Sequence, residues 1–221
     1  CGKDKFIGSV TDAYESFDRD FEGDAGPISR SIGSGPVDAI NWLLPLGRLL
    51  AGADGSIISC RSTSFDEPLT PSNFTPKRIS TQGAAQVQAV ELDGSGIFVQ
   101  RNGLRVYELA FSAERMDFSP LDLTAYCPDV CAPGVAGIAV QRQPDTRVHF
   151  WLTDGTVAVL VFDRTENLLC WVKVETDGVV ESVCVLPGVP EDAVYYVVAR
   201  TVGGATVRFL ERMALESEAR G

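Results

Sequence analysis

The chain has 221 residues, of which 45% are apolar and 22% charged, with 19 basic and 30 acidic side chains and a net charge of −11. A chain of this length and composition folds around its own core without disulfides or metal, as one or two domains. The acidity excludes a sequence-specific DNA reader, which needs clustered Lys and Arg; the longest basic cluster is Lys77-Arg78. No run nears 18 uninterrupted apolar residues, so no transmembrane helix is expected.

Residues 1–38 are polar, Gly-rich and acidic. They read as an irregular N-terminal segment with at most one strand, near Phe6–Val10. The Gly-rich stretch Ile32–Pro36 has no helix after it and reads as a linker. The first residue is Cys1 rather than Met, which suggests a piece of a longer polypeptide or, alternatively, a lipid-bearing Cys of a mature lipoprotein.

From Ala39 the texture changes to short runs of Val, Ile, Leu, Phe, Tyr and Trp broken by turn dipeptides, the signature of strands and hairpins. Asp54-Gly55, Asn102-Gly103, Asp154-Gly155 and Gly203-Gly204 each sit between two such runs. These dipeptides favour type I′ hairpins, which need positive φ at both central residues. Counted between second glycines, the spacings are 103−55=48, 155−103=52 and 204−155=49. A period near 50 residues, several strands per repeat, predicts an all-β, propeller-like fold of about four antiparallel blades over 39–213. A β-sandwich with coincidental spacing is the competing arrangement.

Further strands are expected at 39–46, 86–92, 137–143, 167–175 and 179–186. Two long segments, Thr63–Ala85 and Ser112–Ala136, interrupt the repeat and are where a partner would be gripped. Only Glu114–Tyr126 could hold a helical turn, and residues 214–221 read as a frayed tail.

The chemistry of a catalytic site is missing. His149, the single histidine, lies inside a strand pattern beside Phe150 and Trp151 and reads as packed. No nucleophile elbow or phosphate-cradling loop is present. The neighbouring acids Asp66-Glu67 and Glu191-Asp192 read as solvated turn residues, since adjacency does not set two carboxylates across a sugar. A propeller hydrolase would need acids converging on one pocket. Trp42 and Trp171 fall in apolar runs and read as packing residues. Cys60, Cys170 and Cys184 lie in apolar runs and read as small buried hydrophobes. Cys127 and Cys131, in a Pro-rich loop, lack the further ligands a zinc site needs. The thiols are expected to be reduced, with no metal, no cofactor and no catalytic residue.

The succession of motifs carries a resemblance. Gln100–Gly103 ends a strand; then follow Asp122–Thr124, Gln141–Pro144, Trp151–Gly155, Trp171, Thr176–Val183, Val198–Arg200 and Phe209–Glu211. Upstream stand residues 43–57 and the Leu69-Thr70-Pro71 turn. Over Asn41–Met213 this order resembles the tail nozzle proteins of tailed bacteriophages, also called tail tubular protein B. The resemblance implies a propeller-bearing structural protein of the virion, assembled in the bacterial host cytoplasm. Copies would form a ring, a hexamer in the family, beside the adaptor and portal proteins, through which DNA leaves without sequence-specific binding. Family chains are longer, and the family's histidine after Asp-Leu-Thr is replaced here by Tyr126-Cys127-Pro128. The alternative reading is an extracytoplasmic or lipid-anchored propeller that binds protein or glycan through its loops.

Overall fold

The computed structural model describes residues 3–32, 38–62, 67–164, 166 and 168–219. Cys1, most of the Ile32–Pro36 linker and Asp66 lie outside the described residues. The described residues are β throughout apart from one four-residue helix, and they form consecutive antiparallel meanders. It divides into two compact units, residues 1–101 with 107–121 and residues 102–106 with 122–221.

In the first unit β1 (Lys5–Ile7) pairs with β2 (Ser29–Ser31), so the N-terminal segment carries a small sheet. The first meander is β3 (Ile40–Pro45), β4 (Leu49–Ala53), β5 (Ile57–Arg61) and β6 (Thr75–Ser80). The second is β7 (Val90–Leu92), β8 (Ser95–Val99), β9 (Val106–Ser112) and β10 (Asp117–Asp122). In the second unit the third meander is β11 (Val135–Gln141), β12 (Arg147–Leu152), β13 (Val157–Asp163) and β14 (Leu168–Val174). The last sheet has three strands, β15 (Val179–Leu186), β16 (Ala193–Val202) and β17 (Ala205–Arg212), and one short helix, α1 (Glu216–Ala219), follows.

The four sequence-predicted turns occupy the same place in each sheet, joining its second strand to its third. Their expected geometry needs correction. Both central residues have positive φ only at Gly203-Gly204 and at a hairpin the sequence reading passed over, Asp93-Gly94 between β7 and β8. Gly103 and Gly155 are positive, but Asn102 and Asp154 are not. At Asp154-Gly155 the Gly155 N–H donates to Leu152 O at 3.0 Å and the Leu152 N–H to Thr156 O at 2.9 Å. That is a three-residue loop ending in a left-handed glycine, the next commonest hairpin solution. Asp54-Gly55 needs no positive φ, because the Asp38 carboxylate closes it, accepting from the Gly55 N–H at 2.7 Å and the Ser56 hydroxyl at 2.8 Å.

Three other expectations are corrected. The two long segments are not plain loops, because each contains the outer strand of its sheet, β6 or β10. β6 is polar and largely exposed, and β10 has only Phe118 and Leu121 as large apolar residues, so neither shows as a hydrophobic run. Glu114–Tyr126 forms turns and β10 rather than helix; the helical turn is α1, inside the expected frayed tail. Arg212 binds Glu218 there at 2.8 Å. Finally, Cys60 is buried as expected, but Cys170 and Cys184 are exposed. Cys170 is on the outermost strand β14 and Cys184 on the first strand of the three-stranded sheet, where an apolar run need not be covered. All five described cysteines are free thiols.

Side-chain alternation explains the cores. In β4 and β5, Leu50 and Ile57 face the second sheet, joining Trp42, Phe98, Leu109 and Phe118. Ala51, Ile58 and Cys60 face the other way, where Ile28, Ile32, Phe74 and Phe6 cover them. A sheet buried on both faces requires such continuous apolar runs. In the second unit Val157 and Val159 pack face to face on Val180, Val183, Val194, Tyr196 and Val198 of the last sheet.

Two glycines make this packing possible. Trp42 lies opposite Gly52 across β3 and β4, and Trp151 opposite Gly137 across β12 and β11. Each indole lies so close that a Cβ would fall 2.1 Å from the Trp42 ring or 1.9 Å from the Trp151 ring. Neither glycine has positive φ, so close approach alone demands it. Each pair also lies beside a register shift, at Ile40/Trp42 and at Val135/Gly137.

A repeated backbone bond staples each turn to the segment that opens the following sheet. The Ala84 N–H donates to Ala53 O at 2.8 Å in the first unit. In the second unit Val135 N–H donates to Gly103 O at 2.9 Å and Val180 N–H to Gly155 O at 3.0 Å.

Candidate functional site

Three polar centres and one open surface are the places where function could reside. The first centre lies in the first unit. Asp117, at the start of β10, is 2% exposed and gathers three cations: Arg48 Nη1 at 3.0 Å from Oδ1, with Lys77 Nζ at 3.6 Å and Arg61 Nη1 at 3.8 Å from Oδ2. Oδ2 makes no hydrogen bond, so ion pairing alone compensates its burial. Arg48, from the β3–β4 turn, also donates to Met116 O at 2.8 Å. The cluster fastens the first sheet to the second.

The second centre surrounds His149, which is fully buried. Its Nδ1 lies 3.0 Å from the Tyr196 hydroxyl and its Nε2 3.2 Å from Gln141 Oε1. The Gln141 amide nitrogen donates to Gln143 O at 2.8 Å, which leaves Oε1 as acceptor. His149 therefore carries its proton on Nε2, and Nδ1 accepts from Tyr196. Burial, reinforced by the nearby Arg147 guanidinium, pulls the imidazole pKa down to about 4. Burial also pushes the Tyr196 phenol up to about 12. A neutral histidine with both nitrogens engaged and no water access is a packing group, as the sequence reading held.

This arrangement predicts a pH dependence. The folded-state pKa of His149 lies below the ordinary 6.5. The unfolded chain then binds the extra proton first, so stability is full above pH 6.5 and falls as the pH drops from 6.5 towards 4. The full loss is about 3 kcal/mol. Urea midpoints across this range should fall for the wild type and stay nearly level for His149→Gln. Equal slopes would refute the assignment. The lowered carboxylates Asp154 and Asp192 act in the same direction, but only at more acid pH.

The third centre corrects the reading of Glu191-Asp192 as solvated turn acids. Asp192 is buried. Its carboxylate accepts the backbone N–H groups of Arg142 at 2.8 Å, Gln143 at 3.0 Å and Gly188 at 3.4 Å. Burial raises its pKa, but these three donors outweigh burial and hold it below the usual carboxylate value. Glu191 accepts the Glu216 N–H at 2.8 Å. Both acids tie loops together. Glu67 lines a cleft of about 50 Å³ with Arg48 and Arg61.

The remaining candidates are likewise engaged in packing. Trp42 is buried in the first-unit core, and the Trp171 ring lies tilted against Phe150, centroids 5.3 Å apart, while its Nε1 donates to Leu123 O at 2.9 Å. Cys131 is buried, its thiol pushed up to about 12, while Cys127 is exposed. Among the described residues no group of three His, Cys, Asp or Glu side chains is placed to hold a metal ion. No helix among them is long and apolar enough to cross a membrane. A cleft of about 240 Å³ lies between β14 and the last sheet, walled by Val174, Val180, Val198 and Glu211. There Glu211 receives Arg200 Nε at 2.6 Å and Nη2 at 2.8 Å, and Arg200 also holds Thr176 Oγ1 at 2.8 Å. The Arg200–Glu211 pair fastens β16 to β17.

The open surface is β17. The other three large sheets have four strands, whereas the last has three, and β17 is its edge. Val207, Phe209 and Leu210 are exposed on it, Leu210 at 70%. Met213 N–H donates to Val194 O at 2.9 Å, extending the pairing of β17 with β16, and Glu216 pairs with Arg147. A second exposed feature is the loop 11–24, closed at its base by Thr11 N–H donating to Ala25 O at 2.9 Å. Tyr14, Phe17 and Phe21 stand out from it, Tyr14 at 81% exposure. The sequence reading passed over both. The available signal for the loop was three aromatics within an acidic stretch.

No family model matches the chain, and no curated protein matches it. Among solved structures, a luciferin-regenerating enzyme is similar at a TM-score of 0.37 and 10% identity, over 86% of this chain and 81% of that one. A likeness at this level assigns no activity.

Proposed function

We propose that this chain is a structural component of a bacteriophage tail, part of the nozzle ring through which DNA leaves, and that it acts without catalysis. The observation that supports this reading most is where the nozzle-like motifs fall. Gln100–Gly103 and Trp151–Gly155 lie at second-to-third-strand turns, and Gly103 and Gly155 accept the stapling bonds. Asp122–Thr124 is a local clasp: Asp122 Oδ1 accepts the Thr124 N–H at 2.8 Å and its hydroxyl at 2.7 Å. Val198–Arg200 and Phe209–Glu211 meet in the Arg200–Glu211 pair. The motifs thus serve as joints between strands, as a load-bearing ring requires, rather than converging on a substrate.

The mechanism is mechanical and electrostatic. Stapled meanders resist deformation, and an acidic protein repels the phosphates of passing DNA. The chain should therefore show no retention on a duplex-DNA column at low ionic strength. Retention that salt releases would signal phosphate contacts and overturn the DNA-passage step. The class itself is tested by the genomic neighbourhood of the gene. Portal and capsid genes beside it are expected; a secretion leader in the parent gene with no virion genes nearby would overturn the reading in favour of a lipid-anchored binding module.

A further inference from the structure

Asn102 is the only asparagine in the chain that a glycine follows. It is exposed, in the turn between β8 and β9. Its side chain turns back on the main chain, Oδ1 accepting the Leu104 N–H at 3.0 Å. This is the local bond that Asn forms with the backbone two residues on. It has two chemical consequences. The Leu104 N–H sits on the oxygen that gains negative charge if the carbonyl carbon is attacked, the position of an oxyanion donor. The bond also brings that carbonyl alongside the intervening Gly103 nitrogen. The Gly103 N–H has no acceptor among the described residues, and glycine carries no Cβ to obstruct an approach.

The comparable positions each lack part of this arrangement. Asn73 Nδ2 donates to Pro68 O at 3.0 Å, and the N–H of the following Phe74 is held by Thr70 O at 3.1 Å. Asn41 Nδ2 donates to Asp54 Oδ1 and Ala84 O, both at 2.8 Å, and buried Trp42 follows it. Asp154 repeats the local bond, accepting the Thr156 N–H at 3.0 Å, but the Gly155 N–H is held by Leu152 O at 3.0 Å. An ionised carboxylate is also a poor electrophile.

We propose that Asn102 is a self-modification site. The Gly103 nitrogen gives its proton to solvent and attacks the Asn102 side-chain carbonyl carbon. A carbon–nitrogen bond forms to close a succinimide. The bond from that carbon to the amide nitrogen breaks, and ammonia leaves with a proton from water. A second water opens the ring at either carbonyl, leaving aspartate or isoaspartate at position 102. In the isoaspartate form the main chain runs through Cβ and Cγ and is longer by a methylene group. That displaces Gly103 O from the Val135 N–H, the 2.9 Å bond that staples this turn to the start of β11. The modification thus loosens a joint of the second unit with age. It goes beyond the nozzle reading and does not rest on it.

The test incubates the folded full-length protein in mildly alkaline buffer and maps its peptides by mass spectrometry, with fragmentation that separates isoaspartate from aspartate. Conversion at Asn102 is expected, with Asn41 and Asn73 intact and no isoaspartate at Asp154. An Asn102 that stays intact in the folded protein while the urea-unfolded chain converts would overturn the proposal, because the turn then shields the site. Amide hydrogen exchange reads the consequence. Val135 protection should fall in aged wild type and persist in Asn102→Ser aged beside it. Position 102 has no positive φ, and the serine hydroxyl can still accept from Leu104 but cannot form the ring. Conversion with Val135 protection unchanged would overturn the loss of the staple. Equal loss in both proteins would overturn it too, since ageing would then act elsewhere.

Discussion

Replacing Asp117 by Asn lowers the unfolding free energy by about 3–5 kcal/mol, the range for removing one partner of a buried ion pair. The carboxylate is 2% exposed and the Arg48 side chain 11%, so Arg48 is left with its charge buried and its strongest partner gone. Arg61 and Lys77 respond differently, because their side chains are 33% and 46% exposed and can turn to water. The loss therefore belongs mainly to the Arg48–Asp117 pair. Chemical denaturation at neutral pH measures it. The double variant Arg48→Met with Asp117→Leu should recover much of the loss, since apolar groups of similar size often replace a buried pair without penalty. Failure of the double variant to exceed Asp117→Asn would show that the other cations carry the cluster.

Gly52→Ala costs about 3 kcal/mol, and Gly137→Ala about 1–2 kcal/mol. The added methyl group meets an indole at nearly the same distance in both places, 2.1 and 1.9 Å. The outcomes differ because the rings differ in freedom. Trp42 is 3% exposed, wedged among Phe98, Leu44 and Leu50, and has nowhere to move. Trp151 is only half-buried and can swing outward. Loss of unfolded-state freedom on Gly→Ala offsets part of each cost, by about 0.4–1 kcal/mol. Thermal unfolding ranks the two variants, and tryptophan fluorescence should shift to the red in Gly137→Ala alone. Equal destabilisation would mean that the backbone, not the ring, yields.

Both predictions rest on features the sequence shows only in part. Trp42 and Trp151 were visible as strand tryptophans. Their glycine partners sit ten and fourteen residues away, and nothing local marks a glycine of ordinary φ as the floor of an indole. Asp117 reads as one acid among thirty, because a charge becomes costly only when tertiary packing removes its water. Glu191-Asp192 looked like a solvated turn for the same reason.

Turn chemistry and hydrophobic alternation are local, so the sequence alone determined the all-β class, the four turns, their period and the strands flanking them. The outer strands β6 and β10 escaped because one face of an edge strand needs no apolar residue. The His149 arrangement, the Asp192 clamp and the cations around Asp117 each include residues about 50 or more positions apart, up to the 69 between Arg48 and Asp117, and only folding brings them together. Tertiary structure also decided which apolar residues remain uncovered. Leu210 and Leu50 read alike in the chain, and what distinguishes them is whether another sheet lies over them.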